Sequence, residues 1–235
     1  LVFMKVLIAA PVTEWYDYCW KEFSDFLKAQ KHDVFLVDNS KDEWFYEKVK
    51  SEGFDILRNG HMHRIRDMVT RDHNVIRQKV LDESYDYLLI LDQDVIPPND
   101  VVEQLIKHEK DVCAGLYFGS HPVLGELRVM PFAWVFSSGE IDWNNTGYLV
   151  DQEMWPGKLL KVAFTGMGCI LISRKVLEKV EFRYSKEMDA WDDRWLGFDV
   201  WDKGFEFWCD TKVKCKHMYK NRVFDYHELK RQGRN

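Results

Sequence analysis

The most constraining feature of the sequence is segment 86–98, DYLLILDQDVIPP. Its apolar run, Tyr87–Leu91, has the length expected of a strand that is buried on both faces. Two carboxylates, Asp92 and Asp94, follow the run directly, and a breaker pair, Pro97-Pro98, comes after them. Because open α/β sheets bind ligands at the carboxyl ends of their strands, we predict a metal or phosphate site at this point.

The Asp-x-Asp pattern also has a simpler interpretation. Such a triplet on its own is more often part of a turn or a helix cap than of a binding site. Here it lies between a buried strand and the sequence Pro-Pro-Asn-Asp, which opens a predicted helix over 99–107. That position favours a site over a turn.

Strands and helices are predicted to alternate through the first half of the chain. The predicted strands cover 5–10, 33–37, 54–57, 87–91 and 111–118. The predicted helices cover 14–29, 42–51, 65–84 and 99–107. Alternation of this kind predicts an α/β fold with a mostly parallel, doubly wound sheet.

From Arg128 onward the pattern changes to short apolar segments separated by Gly, Asn and Trp, which is typical of an antiparallel elaboration. The predicted strand segments are 129–137, 147–150, 158–164 and 169–173. A helix over 192–203 and a closing pair of strands over 205–208 and 212–216 are predicted to follow. From Tyr219 the chain is polar and mildly basic, which predicts a surface helix or a tail.

Composition narrows the class of protein. A net charge of −6 argues against a general nucleic-acid binder, which needs a basic surface. Five cysteines without paired spacing predict free thiols in a reducing compartment, and the spacing of Cys209 and Cys215 does not fit a zinc site. With no secretory signal and no apolar run of about 20 residues, we expect a cytoplasmic protein, with peripheral membrane association left open.

Several segments, in this order, carry a resemblance to a known family. They are KVLIAAPVT from Lys5, the acid Asp38 after the second strand, DYLLILDQDVIPP, AGLYF, TGMGCILISRKVLEKV and WDDRWLGFDVWDKGFEFWCDTKVKCKH. Together they resemble the GT-A fold glycosyltransferases, most closely the family 2-like, inverting, nucleotide-sugar-dependent group. The resemblance implies a Rossmann-like single domain over 1–235. This domain would consist of a donor-binding half over about 4–118, an acceptor-binding half over about 119–217 and a C-terminal helix or tail over 218–235.

The resemblance implies that the acid pair holds a divalent cation, Mn²⁺ or Mg²⁺. The matching ligands are Asp94 and His217, with Asp92 as a further ligand or as a contact to the ribose or to a metal-bound water. A cation held by few carboxylates and by the phosphates neutralises a leaving diphosphate as a Lewis acid. A histidine among oxygen ligands favours manganese over magnesium.

The resemblance also places a general base in the acid pair that opens helix 192–203. This pair is Asp192-Asp193 where the family typically has Glu-Asp, and counting back from Gly204 aligns Asp193, rather than Asp199, with the base. Asp192 is then expected to contact the bound donor. The alternative for both acids is a favourable interaction with the helix macrodipole.

Further contacts to the nucleotide sugar are implied at scattered positions. These are Pro11, Val12, Thr13, Asp38, Arg66, Arg71, Gly166 and Gly168. The alternatives are a cap for Asp38, a solvated basic face for the arginines and a bulge for the glycines. The sequence also departs from the family at His73-Asn74, where an Arg-Asn pair is often found.

The implied partners are a UDP- or GDP-linked sugar and a glycan or other hydroxyl acceptor. Late tryptophans are candidate platforms for an acceptor sugar, with a core or interface role as the alternative. They are Trp143, Trp155, Trp191 and Trp195. The rival functions are a retaining transferase on the same fold and a non-catalytic sugar- or nucleotide-binding module. A nucleotidyltransferase is disfavoured because the first loop, APVTEW, lacks a glycine-rich, basic sequence for a triphosphate.

Overall fold

Strands and helices alternate through the first half of the chain in the computed structural model, which describes residues 4–123, 125–186, 190–220 and 222–224. The strands are β1 (Val6–Val12), β2 (Asp33–Asp38), β3 (Asp55–Arg58), β4 (Tyr87–Leu91), β5 (Val95–Ile96) and β6 (Val112–Leu116). The helices are a 3-10 helix (Glu14–Cys19), α1 (Trp20–Lys28), α2 (Glu43–Ser51), α3 (Ile65–Asp82) and α4 (Val101–Ile106).

Shorter elements make up the second half. The strands are β7 (Phe118–Val123), β8 (Glu126–Pro131), β9 (Ala133–Phe136), β10 (Thr146–Tyr148), β11 (Leu159–Lys161), β12 (Phe164–Thr165), β13 (Cys169–Ser173), β14 (Phe207–Lys214), β15 (Lys216–Tyr219) and β16 (Arg222–Phe224). The helices are α5 (Asp151–Met154), α6 (Arg174–Leu177) and α7 (Asp192–Asp202).

The central sheet has eight strands in the order β11-β14-β6-β13-β4-β1-β2-β3. Strand β1 pairs in parallel with β2 and β4, β2 pairs in parallel with β3, and β14 pairs in parallel with β6. Strand β13 runs antiparallel between β4 and β6, and β11 is antiparallel at one edge. The predicted α/β class and the mostly parallel sheet are therefore confirmed, and strand order reverses between β1 and β4.

Three small antiparallel sheets surround the carboxyl edge of the central one. They are β10-β9-β12, β16-β15-β5 and the hairpin β7-β8. The predicted antiparallel elaboration is confirmed. Strands β11, β13 and β14 return to the central sheet, so both halves of the chain share one sheet. The division into donor-binding and acceptor-binding halves stays a prediction.

Burial of β4 on both faces explains its apolar run. Leu88 and Ile90 belong to the hydrophobic cluster on one face of the sheet, whereas Leu89 and Leu91 belong to the cluster on the other. All four side chains are fully buried, and burial of each contributes about 2 kcal/mol. Strand β4 is thus held firmly from both sides, and it carries Asp92 at its carboxyl end.

The predicted helix over 14–29 begins instead as a 3-10 helix with a kink at Tyr16 (φ −105°, ψ 19°). One local and one tertiary hydrogen bond accompany the difference. The Tyr16 N–H donates to the Thr13 carbonyl at 3.2 Å, which is the i→i−3 bond of a 3-10 turn, and the Tyr16 carbonyl accepts from Gln93 Nε2 at 3.2 Å. The bond from Gln93 holds this first turn beside the acid pair.

Two predictions for the end of the chain are wrong. The predicted closing pair of strands is a single strand, β14. The polar residues Asp210 and Thr211 suggested a break between two strands, but both are buried, and they are hydrogen-bonded to His108 and Lys158. The predicted helix or tail from Tyr219 starts as the antiparallel pair β15–β16, since pairing with β5 satisfies the backbone. Residues 225–235 of the predicted tail lie outside the described residues.

All five cysteines are buried and unpaired, which agrees with the prediction of free thiols. They are Cys19, Cys113, Cys169, Cys209 and Cys215. Across the described residues, no helix combines the length and the apolar character needed to cross a bilayer.

Candidate functional site

Gln93 joins the acid pair to the loop that follows β1. Its Oε1 accepts a hydrogen bond from the Thr13 N–H at 2.8 Å, and its Nε2 donates to the Tyr16 carbonyl. The side chain is buried and satisfied at both ends. The middle residue of the Asp-x-Asp element is therefore a structural link between the carboxyl ends of β1 and β4, which its sequence position does not reveal.

Asp94 and His217 lie side by side although 123 positions separate them in the chain. Strand β15 places His217 opposite Val95, and the Met218 N–H donates to the Asp94 carbonyl at 2.7 Å. His217 Nε2 lies 3.3 Å from Asp94 Oδ2, and His217 Nδ1 lies 2.7 Å from the Phe118 carbonyl oxygen. Since a carbonyl only accepts, Nδ1 carries a proton, and Nε2 is the ring nitrogen that faces the Asp94 carboxylate. Loss of a proton from Nε2 would leave its lone pair available to a cation.

This pair fits a divalent cation in its donor chemistry. Mg²⁺ and similar ions are often held by one or two carboxylates, with substrate phosphates and water as the other ligands. Among the residues that the structure describes, no group of three or more His, Cys, Asp or Glu side chains is arranged to hold a metal ion. The roles of Asp94, His217 and Asp92 as metal ligands therefore stay predictions, and the contact between Asp94 and His217 is what the structure adds to them.

Asp92 is half-buried and lies at the turn that follows β4. Its N–H donates to the Gly168 carbonyl at 3.3 Å, and its carbonyl accepts from the Val95 N–H at 3.0 Å. Burial, together with the charge of Asp94, raises the pKa of Asp92 to about 7. Burial by itself lowers the pKa of His217, but the neighbouring Asp94 carboxylate outweighs it, and the pKa of His217 is raised.

The acids of helix α7 have different surroundings. Asp192 Oδ2 lies 2.6 Å from His73 Nδ1, with both side chains buried. Asp199 receives two hydrogen bonds from Arg183, at 2.7 and 2.9 Å. The structure thus gives Asp192, which was expected to contact the donor, an internal partner on α3, because burial in the core demands a counter-charge.

Asp193 occupies the first turn of α7 and is half-buried. Its Oδ1 accepts a hydrogen bond from the adjacent Arg194 N–H at 2.6 Å. Burial raises the pKa of Asp193 to about 7, and the charges of Asp192 and Asp92 act in the same direction. A carboxylate with a pKa near the working pH is suited to general base catalysis.

Tyr117 explains why glycines precede β13. A Cβ atom at Gly166 would lie 2.1 Å from the Tyr117 hydroxyl, and a Cβ at Gly168 would lie 2.7 Å from Val95 and 2.8 Å from the Tyr117 ring. The Gly168 N–H also donates to the Tyr117 hydroxyl at 3.2 Å, and the ring stacks on Phe132. Internal packing therefore accounts for both glycines, whereas their approach to a sugar stays a prediction.

We expect Gly168→Ala to destabilise the protein by about 1–3 kcal/mol, because the added methyl group overpacks a site already filled by Tyr117 and Val95. Urea unfolding measures the loss. Gly147→Ala is the matched control, since its Cβ would meet only the Ser137 Oγ, at 3.2 Å. Unchanged stability of Gly168→Ala, with weaker nucleotide-sugar binding, would contradict the packing explanation.

The first loop and Asp38 lie together at the carboxyl ends of β1 and β2. The Val12 carbonyl accepts from the Asn39 N–H at 3.0 Å, and Pro11 is half-buried whereas Val12 and Thr13 are buried. Asp38 is fully buried, and it accepts hydrogen bonds from the Ser40 N–H and from Arg58, each at 3.2 Å.

Burial raises the pKa of Asp38. A direct contact between Asp38 and a nucleoside would require rearrangement around Arg58, because no part of its side chain reaches the surface. Nucleoside binding by Asp38 and by the loop of Pro11, Val12 and Thr13 stays a prediction.

The two predicted arginines have different environments. Arg71 donates to Asp72, at 2.9 Å from Nη2, and to the Gly60 carbonyl, at 2.6 Å. The Arg66 guanidinium lies 4.9 Å from the centroid of the Trp191 ring and 5.4 Å from that of Tyr184. Arg66 therefore faces the start of α7, whereas Arg71 ties α3 to the loop after β3, and a contact of either with diphosphate stays a prediction.

Among the four predicted tryptophan platforms, Trp191 is the exposed one, at 46%. Trp195 is buried under the Arg183 guanidinium, 3.9 Å from its ring centroid. Trp143 is half-buried and packs on Phe136 and Phe198, and Trp155 packs against the core. Trp191 directly precedes the acid pair of α7 and so borders the candidate site.

Sequence reasoning missed two side chains of the site, Gln93 and His73, as contributors. A signal for His73 was present, because residues 69, 73, 76 and 80 follow the helical spacing of the predicted apolar stripe of α3. A polar residue on a stripe that packs against the sheet needs a buried partner. The spacing indicates burial, but it does not identify Asp192 as the partner.

No protein-family model matches the sequence, and no curated protein matches it. Solved structures do resemble it. GalNAc-T7 with UDP, GalNAc and Mn²⁺ matches with a TM-score of 0.63 and 13% identity, over 92% of this chain and 44% of that chain. Residues 1–349 of S. aureus TarS in complex with UDP-GlcNAc match with a TM-score of 0.59 and 13% identity, over 94% and 60%.

A structure of S. aureus TarS matches with a TM-score of 0.54 and 14% identity, over 97% of this chain and 39% of that chain. This chain therefore spans from about two fifths to three fifths of these structures. At this level of identity the similarity establishes the fold, which is that of the GT-A glycosyltransferases.

Proposed function

We propose that this chain is a metal-dependent, inverting glycosyltransferase that moves a sugar from a nucleoside diphosphate sugar to an acceptor hydroxyl. One observation carries the proposal. The Asp94–His217 pair lies at the carboxyl edge of a GT-A sheet, while Asp193, the expected base, is half-buried at the start of α7 and has a raised pKa. Asp94 and His217 would neutralise the leaving diphosphate through a bound cation, and Asp193 would accept the proton of the acceptor hydroxyl.

The donor is proposed to bind where β1, β2 and β4 end. Asp94 and His217 would hold Mn²⁺ or Mg²⁺, which supplies Lewis-acid neutralisation of a leaving diphosphate. The loop of Pro11, Val12 and Thr13, with Asp38, would surround the nucleoside. UDP-linked sugars are the first donors to test, because the similar structures carry UDP or UDP-GlcNAc, and GDP-linked sugars are the second.

Asp193 would accept the proton of the acceptor hydroxyl while that oxygen bonds to the anomeric carbon and the bond to the diphosphate breaks. Asp192 and Asp199 are less suited to this role, since His73 and Arg183 hold them in place. Attack from the side opposite the leaving group inverts the anomeric configuration. A cytoplasmic location is also part of this proposal and is supported by the five unpaired thiols.

Trp191 is proposed as the platform for an acceptor sugar. It lies two residues before Asp193, its ring is half-exposed, and Arg66 stacks on it. An aromatic ring braced on one side by a guanidinium is ordered at low entropic cost and can pack against the apolar face of a pyranose. A sugar bound on this platform would present its hydroxyl group to Asp193.

We expect Trp191→Ala to raise the acceptor KM about tenfold, equivalent to ~1.4 kcal/mol, while hydrolysis of the donor by water stays unchanged. Initial rates with a panel of free mono- and disaccharides measure both. Trp44→Ala is the control, because Trp44 is exposed to a similar degree, 49%, on α2. Equal losses of hydrolysis and transfer in Trp191→Ala would argue against an acceptor platform.

The proposed function is tested by incubating the protein with UDP-linked sugars and Mn²⁺, with EDTA as the control. We expect metal-dependent release of UDP, and a product whose anomeric configuration, read by NMR, is opposite to that of the donor. A product with the donor's configuration would replace this mechanism with the retaining one. Nucleotide binding without any turnover would identify a non-catalytic sugar- or nucleotide-binding module.

A further inference from the structure

A buried histidine–aspartate pair joins helix α3 to the first turn of α7. His73 Nδ1 lies 2.6 Å from Asp192 Oδ2, and the two side chains are 0% and 5% exposed. The residues are 119 positions apart in the chain. The pair therefore connects the helix packed on β1 and β2 directly to the residue that precedes the proposed base, Asp193.

The neighbouring residue strengthens the same connection. Asn74 donates to the Phe182 carbonyl at 2.7 Å and accepts from the Phe182 N–H at 3.1 Å. The Phe182 ring in turn packs on the His73 imidazole, with the centroids 5.1 Å apart. Two consecutive residues of α3 thus hold both the segment that leads towards α7 and the first residue of α7 itself.

The charges around His73 favour its imidazolium form. Burial lowers its pKa, but Asp192, Asp92 and Asp72 all act in the opposite direction, and the pKa of His73 is raised. A buried ion pair of this kind is weak evidence for net stability, since its desolvation cost can exceed the Coulombic gain. What the pair does provide is one defined geometry, because a misplaced carboxylate or imidazolium would be left buried without its partner.

We propose that His73 is a positioning residue for the transfer reaction: acting through Asp192, it fixes the first turn of α7 and thereby the placement of the Asp193 carboxylate. The inference rests on the proposed function. Asp193 follows Asp192 directly, so a rotation or shift of this turn moves the base away from the acceptor hydroxyl. Displacement of a catalytic group by about 1 Å can cost on the order of 10²-fold in rate.

The test compares two variants of His73 with a matched pair elsewhere. His73→Phe keeps an aromatic ring beside Phe182 but leaves Asp192 without its partner, whereas His73→Asn places an amide N–H where Nδ1 was. His108→Phe is the control, because His108 Nε2 makes the same 2.6 Å contact with the buried carboxylate of Asp210, outside the set of Asp92, Asp94, Asp193 and His217.

We expect His73→Phe to lower kcat by about 10²-fold with donor Kd within twofold of wild type, and His73→Asn to recover kcat to within tenfold. His108→Phe should keep kcat within about threefold. Equal losses in His73→Phe and His108→Phe, a matching loss of donor affinity, or no recovery in His73→Asn would overturn the positioning role. If His73→Phe does not fold, His73→Asn is compared with His108→Asn instead. A kcat about 3- to 10-fold below wild type in His73→Asn alone would support the positioning role. Equal kcat values in the two variants would overturn it.

Backbone hydrogen–deuterium exchange separates this inference from the proposed function. We expect the amides of residues 196–199, whose helical hydrogen bonds end on the carbonyls of the first turn of α7, to exchange at least tenfold faster in His73→Phe than in His108→Phe. If the wild-type protein neither transfers sugar nor hydrolyses donor, the proposed function fails, and exchange alone decides whether His73 holds this turn. Equal exchange rates in the two variants would overturn the inference whatever the activity.

Discussion

The Asp193→Asn variant is expected to bind the donor with wild-type affinity and to transfer sugar about 10²–10⁴ times more slowly. Asparagine keeps the size of the side chain and can still accept the hydrogen bond from the Arg194 N–H. It lacks a group that takes a proton at neutral pH, so the acceptor hydroxyl stays protonated. Initial transfer rates and calorimetric titration with the donor measure the two quantities separately.

The pH dependence follows from the same residue. Only ionised Asp193 accepts a proton, and its pKa is raised to about 7, so kcat/KM should rise with pH and level off above about 7. Between about pH 4 and 7 folded Asp193 is protonated while unfolded aspartate is ionised, so its contribution to stability falls as the pH rises through this window. Asp193→Asn removes that penalty and should unfold at a higher temperature than wild type at pH 8.

Two other acids of α7 serve as controls for the base. Asp192→Asn retains a hydrogen-bonding group towards His73 and should reduce transfer less than Asp193→Asn does. Asp199→Asn weakens the contact with Arg183 and should lower stability more than turnover. Near-normal transfer by Asp193→Asn, or a product with the donor's configuration, would remove Asp193 as the base and favour the retaining alternative.

The Asp94→Asn variant is expected to lose metal-dependent binding of UDP. Asp94 is one of two proposed protein ligands of the cation. Its removal should weaken UDP affinity in Mn²⁺ by on the order of 10²-fold, because a contact between a carboxylate and the cation is worth several kcal/mol. The variant should remain folded, since the charge of Asp94 repels that of Asp92 and contributes to the raised pKa of Asp92. Calorimetry with UDP, in Mn²⁺ and in EDTA, measures the effect.

Asp210→Asn is the matched control for this ligand, because Asp210 is also a buried carboxylate in contact with a histidine. It should leave the Mn²⁺ dependence of UDP binding unchanged. EDTA should weaken UDP binding to the wild type and to Asp210→Asn but not further to Asp94→Asn. UDP affinity that is the same in Mn²⁺ and EDTA for all three proteins would rule out a metal site at Asp94 and His217.

Much of the architecture is encoded locally. The run Tyr87–Leu91 forms a strand buried on both faces, as its continuous apolar character predicts, and the acids after it lie at the carboxyl edge of the sheet. The helix predicted over 192–203 is α7, which starts at Asp192 and ends at Asp202. Such elements are readable because the period of the hydrophobic pattern and the helix boundary residues act within a few positions.

The partners of buried polar groups are not encoded in that way. Asp210 and Thr211 resemble a turn in the sequence, yet β14 continues through them because His108 and Lys158 satisfy them from distant segments. Gly168 resembles a place where a ligand approaches the backbone, yet the Tyr117 ring fills the space beside it. In each case the local pattern marks an unusual position, and the choice of partner depends on which segment the sheet brings alongside.

The sequence alone therefore determined the α/β order of elements, the buried strand β4 and the acids that follow it. The tertiary structure decided which histidines lie beside the acids at the carboxyl edge of the sheet and at the start of α7. It placed His217 beside Asp94 across 123 positions, and it engaged Asp192 with His73 across 119. The physical reason is that burial and helical or strand periodicity are properties of neighbouring residues, whereas the pairing of charges in a core is set by long-range packing, because a buried charge must find a counter-charge wherever the fold supplies one.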